Sequence, residues 1–386
     1  MRGLSVTITA SLTLLSGSAL AVVGNPADLS NQYIVVLHSD VSQDKINQIS
    51  QAVRQANGKI GHRYTTAIKG FSVTLPAQAL KSLQQRFSDI DYVEPDMAVF
   101  AMPRNNKPDK PSGGNQSGSE PPQVVPWGID HVGGPMAFSS NTAWIIDTGI
   151  DLNNADLNVD AKRGANFAHG KYTLQDGNGH GTHVAGTIAA IDNSSGVVGV
   201  APGTAVVPVR VLDNTGSGSI SGVIAGVDWV LENGESGDCA NLSLGAKGYS
   251  QSLEQSIKAA AAKGINFSIA AGNSTDDASL YTPASVQGDN IYTVSAIDIN
   301  NTFAWFSNFG AKQAHDGYAQ GEPVDYAAPG VNIESTKVGG GTVTYNGTSM
   351  AAPHVCGLLL ATGGQLNSAG IASQDPDGVA DPVAHR

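Results

Sequence analysis

Charge is scarce in this 386-residue chain: Asp, Glu, Lys and Arg make up 14% of it, against about 25% in an average soluble domain. With 41% hydrophobic residues, that scarcity excludes intrinsic disorder. Cysteine is rarer still. Cys239 and Cys356 are too few for a disulfide-built scaffold; both stand in apolar surroundings and can form one bridge or stay as buried thiols. Basic clusters are missing as well. Residues 1–121 hold 11 basic and 9 acidic side chains, residues 122–386 hold 10 and 24, so the negative excess lies in the second part. Nucleic-acid binding, which needs clustered Lys and Arg, is excluded. Past the N-terminus no segment approaches the roughly 18 uninterrupted apolar residues of a membrane span. Glycine, in contrast, is plentiful at 46 residues, which points to a compact fold rich in tight turns.

The chain divides into four stretches. Residues 1–21 carry Arg2, an apolar run from Leu4 to Leu15 and the small-residue ending Ala19-Leu20-Ala21, the pattern of a secretory signal peptide. Secretion to the exterior or the cell envelope is therefore expected, a compartment that permits a disulfide. Residues 22–102 read as a small domain. Tyr33 to Leu37 is a strand, Ser42 to Ala56 a helix with Ile46, Ile49 and Val53 on one face, Phe71 to Leu75 a strand, and Pro76 opens a second helix. Asp91 to Phe100 closes the domain as a strand, giving a ferredoxin-like α+β order. Residues 103–121 are Pro, Gly, Ser and charged residues without apolar periodicity, a linker. In residues 122–386, buried strand runs at 143–146, 205–212, 239–242, 266–271 and 291–296 alternate with helical patterns. That alternation predicts an α/β domain, a parallel sheet with helices on both faces, and places ligands beyond the C-terminal ends of its strands.

Three segments at such ends carry chemistry. Asp147 follows the buried run Ala-Trp-Ile-Ile; His180 opens Gly179-His-Gly-Thr-His-Val-Ala-Gly-Thr187; Ser349 lies in Asn346-Gly-Thr-Ser-Met-Ala-Ala-Pro-His354. A serine hydroxyl becomes a nucleophile when an imidazole takes its proton and a buried carboxylate holds that imidazole's tautomer. His180 and His183 are spaced like zinc ligands, but the Glu of an H-E-x-x-H helix is missing and no third ligand follows. An esterase would need the order Ser, Asp, His after G-x-S-x-G, and Gly347-Thr-Ser-Met-Ala351 lacks the second Gly. An inactive binding module would show substitutions at these positions, and none is present.

The three segments, in the order Asp, His, Ser, resemble those of the subtilisin-like serine proteases, and the resemblance runs over nearly the whole chain. It implies a secreted serine endopeptidase, made as an autoprocessing zymogen, with Asp147 as triad carboxylate, His180 as base and then acid, and Ser349 as nucleophile. Asn273, closing Ser268-Ile-Ala-Ala-Gly-Asn, is the implied oxyanion donor and His183 a structural residue. Ser243, Leu244 and Gly245 with Ala270, Ala271 and Gly272 resemble the walls of the primary specificity pocket; Gly216, Ser217 and Gly218 resemble the edge that pairs with an extended substrate. No acidic residue falls on those walls, so broad specificity with an apolar or aromatic residue before the cut is expected, and Ile220 leaves the next apolar pocket roomy. Calcium is the implied structural cofactor, held by the side chains of Gln123, Asp156 and Asn193 with carbonyls of Ile191, Ser195 and Val197; catalysis itself needs none. Asp375-Pro-Asp377-Gly is a weaker ion-friendly segment. The 22–102 domain resembles the prodomain of these enzymes, a folding template and inhibitor of its own chain. Pro121-Pro122 argues against a cut just before the catalytic domain, placing processing between Val99 and Glu120. The expected partners are protein or peptide substrates and the chain's own prodomain, with no nucleic acid, no membrane and a monomeric state. The chain's last 37 residues after Ser349 are few for the family's final helices.

Overall fold

A computed structural model describes residues 29–102, 122–310 and 323–386. The predicted signal peptide and linker lie outside the described residues.

The N-terminal domain runs through β1 (Gln32–Leu37), α1 (Gln43–Gln55), β2 (Lys59–Tyr64), β3 (Gly70–Thr74), α2 (Ala77–Arg86), β4 (Ile90–Pro95) and β5 (Ala98–Ala101). The first four strands form an antiparallel sheet in the order β2-β3-β1-β4, the ferredoxin-like arrangement expected from the sequence. Ser42 caps α1 by accepting from Lys45 N, and Asn57, with φ +58°, turns the chain out of it. β1 is apolar without alternation because both of its faces are covered. Val35 and Leu37 pack with Ile49, Val53, Leu80 and Leu83 of the domain's own helices. Ile34 and Val36 point the other way, into a cluster with Ile220, Ile224, Leu253 and Ile257 of the second domain.

The second domain contains α3 (Trp127–His131), β6 (Thr142–Asp147), β7 (Ala165–Asn166), α4 (His180–Ala189), β8 (Ala205–Arg210), β9 (Ser217–Ser219), α5 (Ile220–Asn233), β10 (Cys239–Leu242), β11 (Leu244–Lys247), α6 (Gln251–Ala262) and β12 (Asn266–Ala270). It continues with β13 (Tyr281–Thr282), β14 (Ile291–Ile297), β15 (Tyr326–Pro329), β16 (Ile333–Thr336), β17 (Thr342–Tyr345), α7 (Thr348–Thr362), β18 (Asn367–Ile371) and β19 (Pro382–His385). Nine strands make the main sheet, β18-β19-β15-β14-β12-β10-β6-β8-β7; every pairing in it is parallel except β18 with β19. Alternate residues of β6 serve opposite faces. Ala143 and Ile145 join the cluster of α4 and α7, Trp144 and Ile146 that of α5 and α6. Burial on both sides explains the unbroken apolar runs.

Two differences from the sequence reading stand out. The closing strand expected over 91–100 is two strands, broken at Asp96-Met97, and β5 leaves its own sheet. After α7 the described chain forms the strands β18 and β19 rather than helices. The open question of the cysteines is answered by a bond: Cys239 of β10 and Cys356 of α7 are joined, Cα atoms 5.8 Å apart, in the buried cluster that α7 shares with the sheet.

Candidate active site

Asp147 ends β6, His180 begins α4, and Ser349 is the second residue of α7. Their spacing along the chain collapses because α4 and α7 pack against each other and against β6, an interior strand of the sheet. His180 Nδ1 lies 2.8 and 2.9 Å from the two carboxylate oxygens of Asp147, and both side chains are buried. That pairing fixes the proton on Nδ1 and leaves Nε2 as the basic nitrogen; among the described residues Nε2 has no hydrogen-bond partner. Thr148 N adds a hydrogen bond to Asp147 Oδ1 at 2.7 Å, so the carboxylate is held from two sides.

The start of α7 is shaped by its own sequence. Gly347 has φ +149°, and a Cβ there would stand 2.7 Å from the Met102 carbonyl oxygen, so the approach of that carbonyl requires glycine. Pro353 lies inside the helix and cannot donate to the carbonyl four residues back, that of Ser349. Ser243 Oγ takes over that duty at 2.9 Å. In return Ser349 Oγ donates to the Ser243 carbonyl at 3.0 Å. The hydroxyl is thus turned to Ser243 and is not hydrogen-bonded to the imidazole.

β5 fills the neighbouring cleft. It lies antiparallel between β9 and β11, pairing Ala98, Val99 and Phe100 with Ser219, Gly218 and Ser217, and Phe100 and Ala101 with Gly245 and Leu244. Ala101 N donates to the Gly216 carbonyl at 2.8 Å. Asn273 follows β12 and turns its Nδ2 onto the Met102 carbonyl oxygen. Its Oδ1 accepts from Thr348 N and Thr348 Oγ1, each at 2.9 Å, which fixes the amide's orientation. Phe100 and Met102 border a cavity of about 280 Å³ whose other lining residues are Gly245, Ala246, Lys247, Asn273, Ser274 and Tyr281. Lys247 is paired with Asp276 at 2.7 Å. The expected edge segment and the wall segment at Leu244 and Gly245 therefore meet at one strand of the N-terminal domain; Ala270 and Ala271 of the other expected wall are buried.

Sequence reasoning missed the residues that hold the two domains together. Asp228 on α5 accepts from the backbone N–H groups of Thr65, Thr66 and Ala67. Glu94 accepts from Ser250 Oγ at 2.6 Å and Gln251 N at 3.1 Å, at the start of α6. Asp96 accepts from Ser221 N and Oγ at the start of α5, and burial pushes its carboxyl up. Both carboxylates therefore face the positive ends of helix dipoles. His62 on β2 meets the rings of Phe167 and His169, each at 6.0 Å between centroids; burial, then the charge of His169, pushes it down to about 4.

His183 is buried on α4, with Nε2 3.0 Å from the Ile333 carbonyl and its ring stacked on Tyr345. Burial pushes it down to about 3, which suits a neutral structural group. The expected calcium residues also gather. Gln123 Nε2 donates to the carbonyls of Ile191 and Val197 at 3.0 and 3.3 Å, and its Oε1 accepts from Asn193 N. Asn193 Nδ2 lies 2.7 Å from Asp156 Oδ1, Asn193 Oδ1 accepts from Ser195 N, and Val197 N donates to Asp156 Oδ2. Asp375 and Asp377 stand together, but no group of three or more His, Cys, Asp or Glu suited to a metal occurs among the described residues.

The chain was compared with known proteins. Residues 142–367 match the subtilase family and residues 32–102 match peptidase inhibitor I9. Alkaline elastase YaB of Bacillus sp. (strain YaB) is 43% identical over 242 residues, which is 61% of this chain and 59% of that protein's length. Subtilisin Savinase of Lederbergia lenta is 44% identical over 241 residues, 61% of this chain and 82% of its own. Subtilisin-like protease 6 of Trichophyton rubrum is 34% identical over 389 residues, covering 91% of this chain and 87% of its own. A crystal structure of a cold adapted subtilisin-like serine proteinase superposes with TM-score 0.57 at 34% identity, covering 67% of this chain and 97% of the other.

Proposed function

Because this chain belongs to the subtilase family, we propose that it is a secreted serine endopeptidase, made as a zymogen that cuts itself and is then inhibited by its own N-terminal domain. The observation that carries this reading is the occupied cleft: an extended strand paired on both sides, ending with the Met102 carbonyl on Asn273 beside Ser349. That is the posture of a peptide about to be cleaved, with main-chain pairing supplying affinity. Ser349 Oγ attacks the Met102 carbonyl carbon while its proton passes to His180 Nε2. Asp147 keeps Nδ1 protonated and stabilises the imidazolium. Asn273 Nδ2 donates to the oxyanion of the tetrahedral species. Its collapse breaks the bond to the Pro103 nitrogen, which takes the proton from His180 and leaves an acyl-enzyme; here proline is the departing residue, whereas a cut before Gln123 would need Pro122 as the acyl residue. Water, deprotonated by the same imidazole, then releases a Met102 carboxylate. An apolar side chain before the cut agrees with Met102 itself and with the cavity it borders, where Lys247, the charged residue of the lining, is paired with Asp276.

The test is the mass of the fragment released by the refolded precursor, together with labelling of the mature enzyme by a serine-directed phosphonate. A fragment ending at Met102 and a label on Ser349 are expected. A fragment ending further along the chain would remove Met102 as the acyl residue, and a label elsewhere would remove the nucleophile.

Calcium belongs to this reading as a structural ion. The Ile191 and Val197 carbonyls accept from the Gln123 amide nitrogen, and the Asp156 carboxylate accepts from the Asn193 amide nitrogen; with the two amides turned over, their oxygens join these groups and the Ser195 carbonyl in a donor set that suits a hard cation. These residues would hold the ion and join the segment before α3 to the loop after α4; no step of the reaction passes through it. Chelation is expected to lower the melting temperature more than the initial kcat. Asp156→Ala should lose the rise in melting temperature that calcium gives, and an undiminished rise would count against the site.

The domain interface also responds to acid. His62 is part-buried and held neutral, so the complex is at full strength above the ordinary histidine range and weakens as pH falls through about 6.5 towards 4. At pH 5 the released domain should bind the Ser349→Ala mature enzyme up to about 30-fold more weakly than at pH 8. Asp96 opposes this lower down, because its carboxyl is pushed up in the complex. Titration calorimetry with His62→Gln isolates the effect: a variant that keeps the same pH dependence would refute it.

A further inference from the structure

We propose that Asp176 is a positioning residue for the His180 base, one carboxylate that ties the start of α4 to the end of β6 and offsets the helix's positive end. The proposal rests on the reading of His180 as general base. Asp176 is 2% exposed, and its two oxygens take five hydrogen bonds. Oδ1 accepts from Thr148 Oγ1 at 3.0 Å, Asn178 N at 2.8 Å and Gly179 N at 2.9 Å. Oδ2 accepts from Thr182 N at 3.0 Å and Thr182 Oγ1 at 2.7 Å. Gly179, which precedes α4 with φ +106°, has no side chain to cap the helix, and Asp176 does so from three residues earlier.

The same carboxylate reaches the triad from the other side. Thr148 Oγ1, its donor, accepts from Gly181 N at 3.0 Å, and Thr148 N donates to Asp147 Oδ1 at 2.7 Å. Asp147 and His180 sit on different elements, and the run Asp147, Thr148, Asp176, α4 is the connection that sets one against the other. Electrostatics point the same way. His180 is the first residue of α4, and the Asp176 carboxylate sets a buried negative charge at that positive end of the helix. The charged and titratable groups facing this corner are Asp147 on β6, Arg210 on β8, Tyr345 on β17 and His183 on α4. Arg210 spends its donors on the carbonyls of Thr173, Gln175 and Leu212 and on Asn214, so it does not displace Asp176 from the helix.

The measurement is the first-order rate of self-cleavage of the refolded full-length precursor from pH 5 to 10, for the parent, Asp176→Asn, Thr148→Val and Thr148→Ser. Asp176→Asn should cleave at least about 10-fold more slowly on the plateau, because the base is no longer held in place. Thr148→Val should slow cleavage as well, and Thr148→Ser, which keeps the hydroxyl, should restore the rate. A role confined to stability would lower the melting temperature and leave the plateau rate unchanged, and that result, or a Thr148→Ser variant as slow as Thr148→Val, would overturn the proposal. If Asp176→Asn does not refold, Thr148→Val cleaving at the parent rate overturns it. A parent that fails to cleave itself, or a Ser349→Ala precursor that does, would instead remove the underlying function.

Discussion

The Ser349→Ala precursor is expected to stay uncut between residues 102 and 103, with turnover lower by roughly 10⁶, the loss that the relative subtilisin shows for its nucleophile. The contrast with stability makes the result informative. The docking of the N-terminal domain runs through Asp228, Glu94, Asp96 and the two-sided pairing of β5, none of which involves the Ser349 hydroxyl. That hydroxyl makes one hydrogen bond among the described residues, to the Ser243 carbonyl, and its loss should cost about 1 kcal/mol. The variant should therefore fold and keep its cleft filled. Ser243 cannot stand in, because its own hydroxyl is committed to the Ser349 carbonyl. Electrophoresis of the purified, refolded variant decides: a released fragment in the absence of other proteases would mean that a different group attacks.

Much of this site was legible because the chemistry is written in short segments. The glycines around His180 and Ser349 sit where the backbone must take positive φ or admit a carbonyl, and they flank the functional side chains in sequence. The strands of the main sheet were legible for a similar local reason, since burial on both faces leaves an unbroken apolar run. What could not be read is tertiary. The break at Asp96-Met97 follows Pro95, a strand-breaking signal that the reading passed over; where the Asp96 carboxylate goes, to Ser221 on a helix of the other domain, is not written in 91–100. β2 was unassigned because it is an edge strand whose inward positions, Ile60, His62 and Tyr64, include a histidine and give little apolar contrast. Pro353 would ordinarily argue for a helix end, and α7 runs through it because Ser243, far away in the chain, satisfies the freed carbonyl. The disulfide left no spacing signal: Cys239 and Cys356 meet only because α7 packs under β10. Asp176 did leave one, an Asp three residues before the glycine that opens a helix, a capping pattern hidden beside a more conspicuous motif.

Asn273→Ala should lower kcat by roughly 10² to 10³, the range subtilisin shows for its own oxyanion asparagine, while inhibition by the N-terminal domain weakens by no more than about 10-fold. The split follows from when the hydrogen bond matters. In the inhibited complex Nδ2 meets a neutral carbonyl or product carboxylate oxygen at one contact among many, and β5 stays paired with Gly216, Gly218 and Gly245 whatever residue 273 carries. In the tetrahedral species the same oxygen bears a full charge in a buried site, where a preoriented donor is worth far more. Orientation is already supplied: Thr348 holds Oδ1 through its N–H and its hydroxyl, and Thr348 Oγ1 is itself fixed by Gly272 N at 3.1 Å. The alanine variant leaves that threonine network without its acceptor, so a small loss of thermal stability should accompany the kinetic one. Active-site titration followed by kcat and inhibition constants on the same preparation separates the two effects. An inhibition constant that rises as much as kcat falls would mean that Asn273 binds the ground state and the transition state alike, and would remove it from the catalytic machinery.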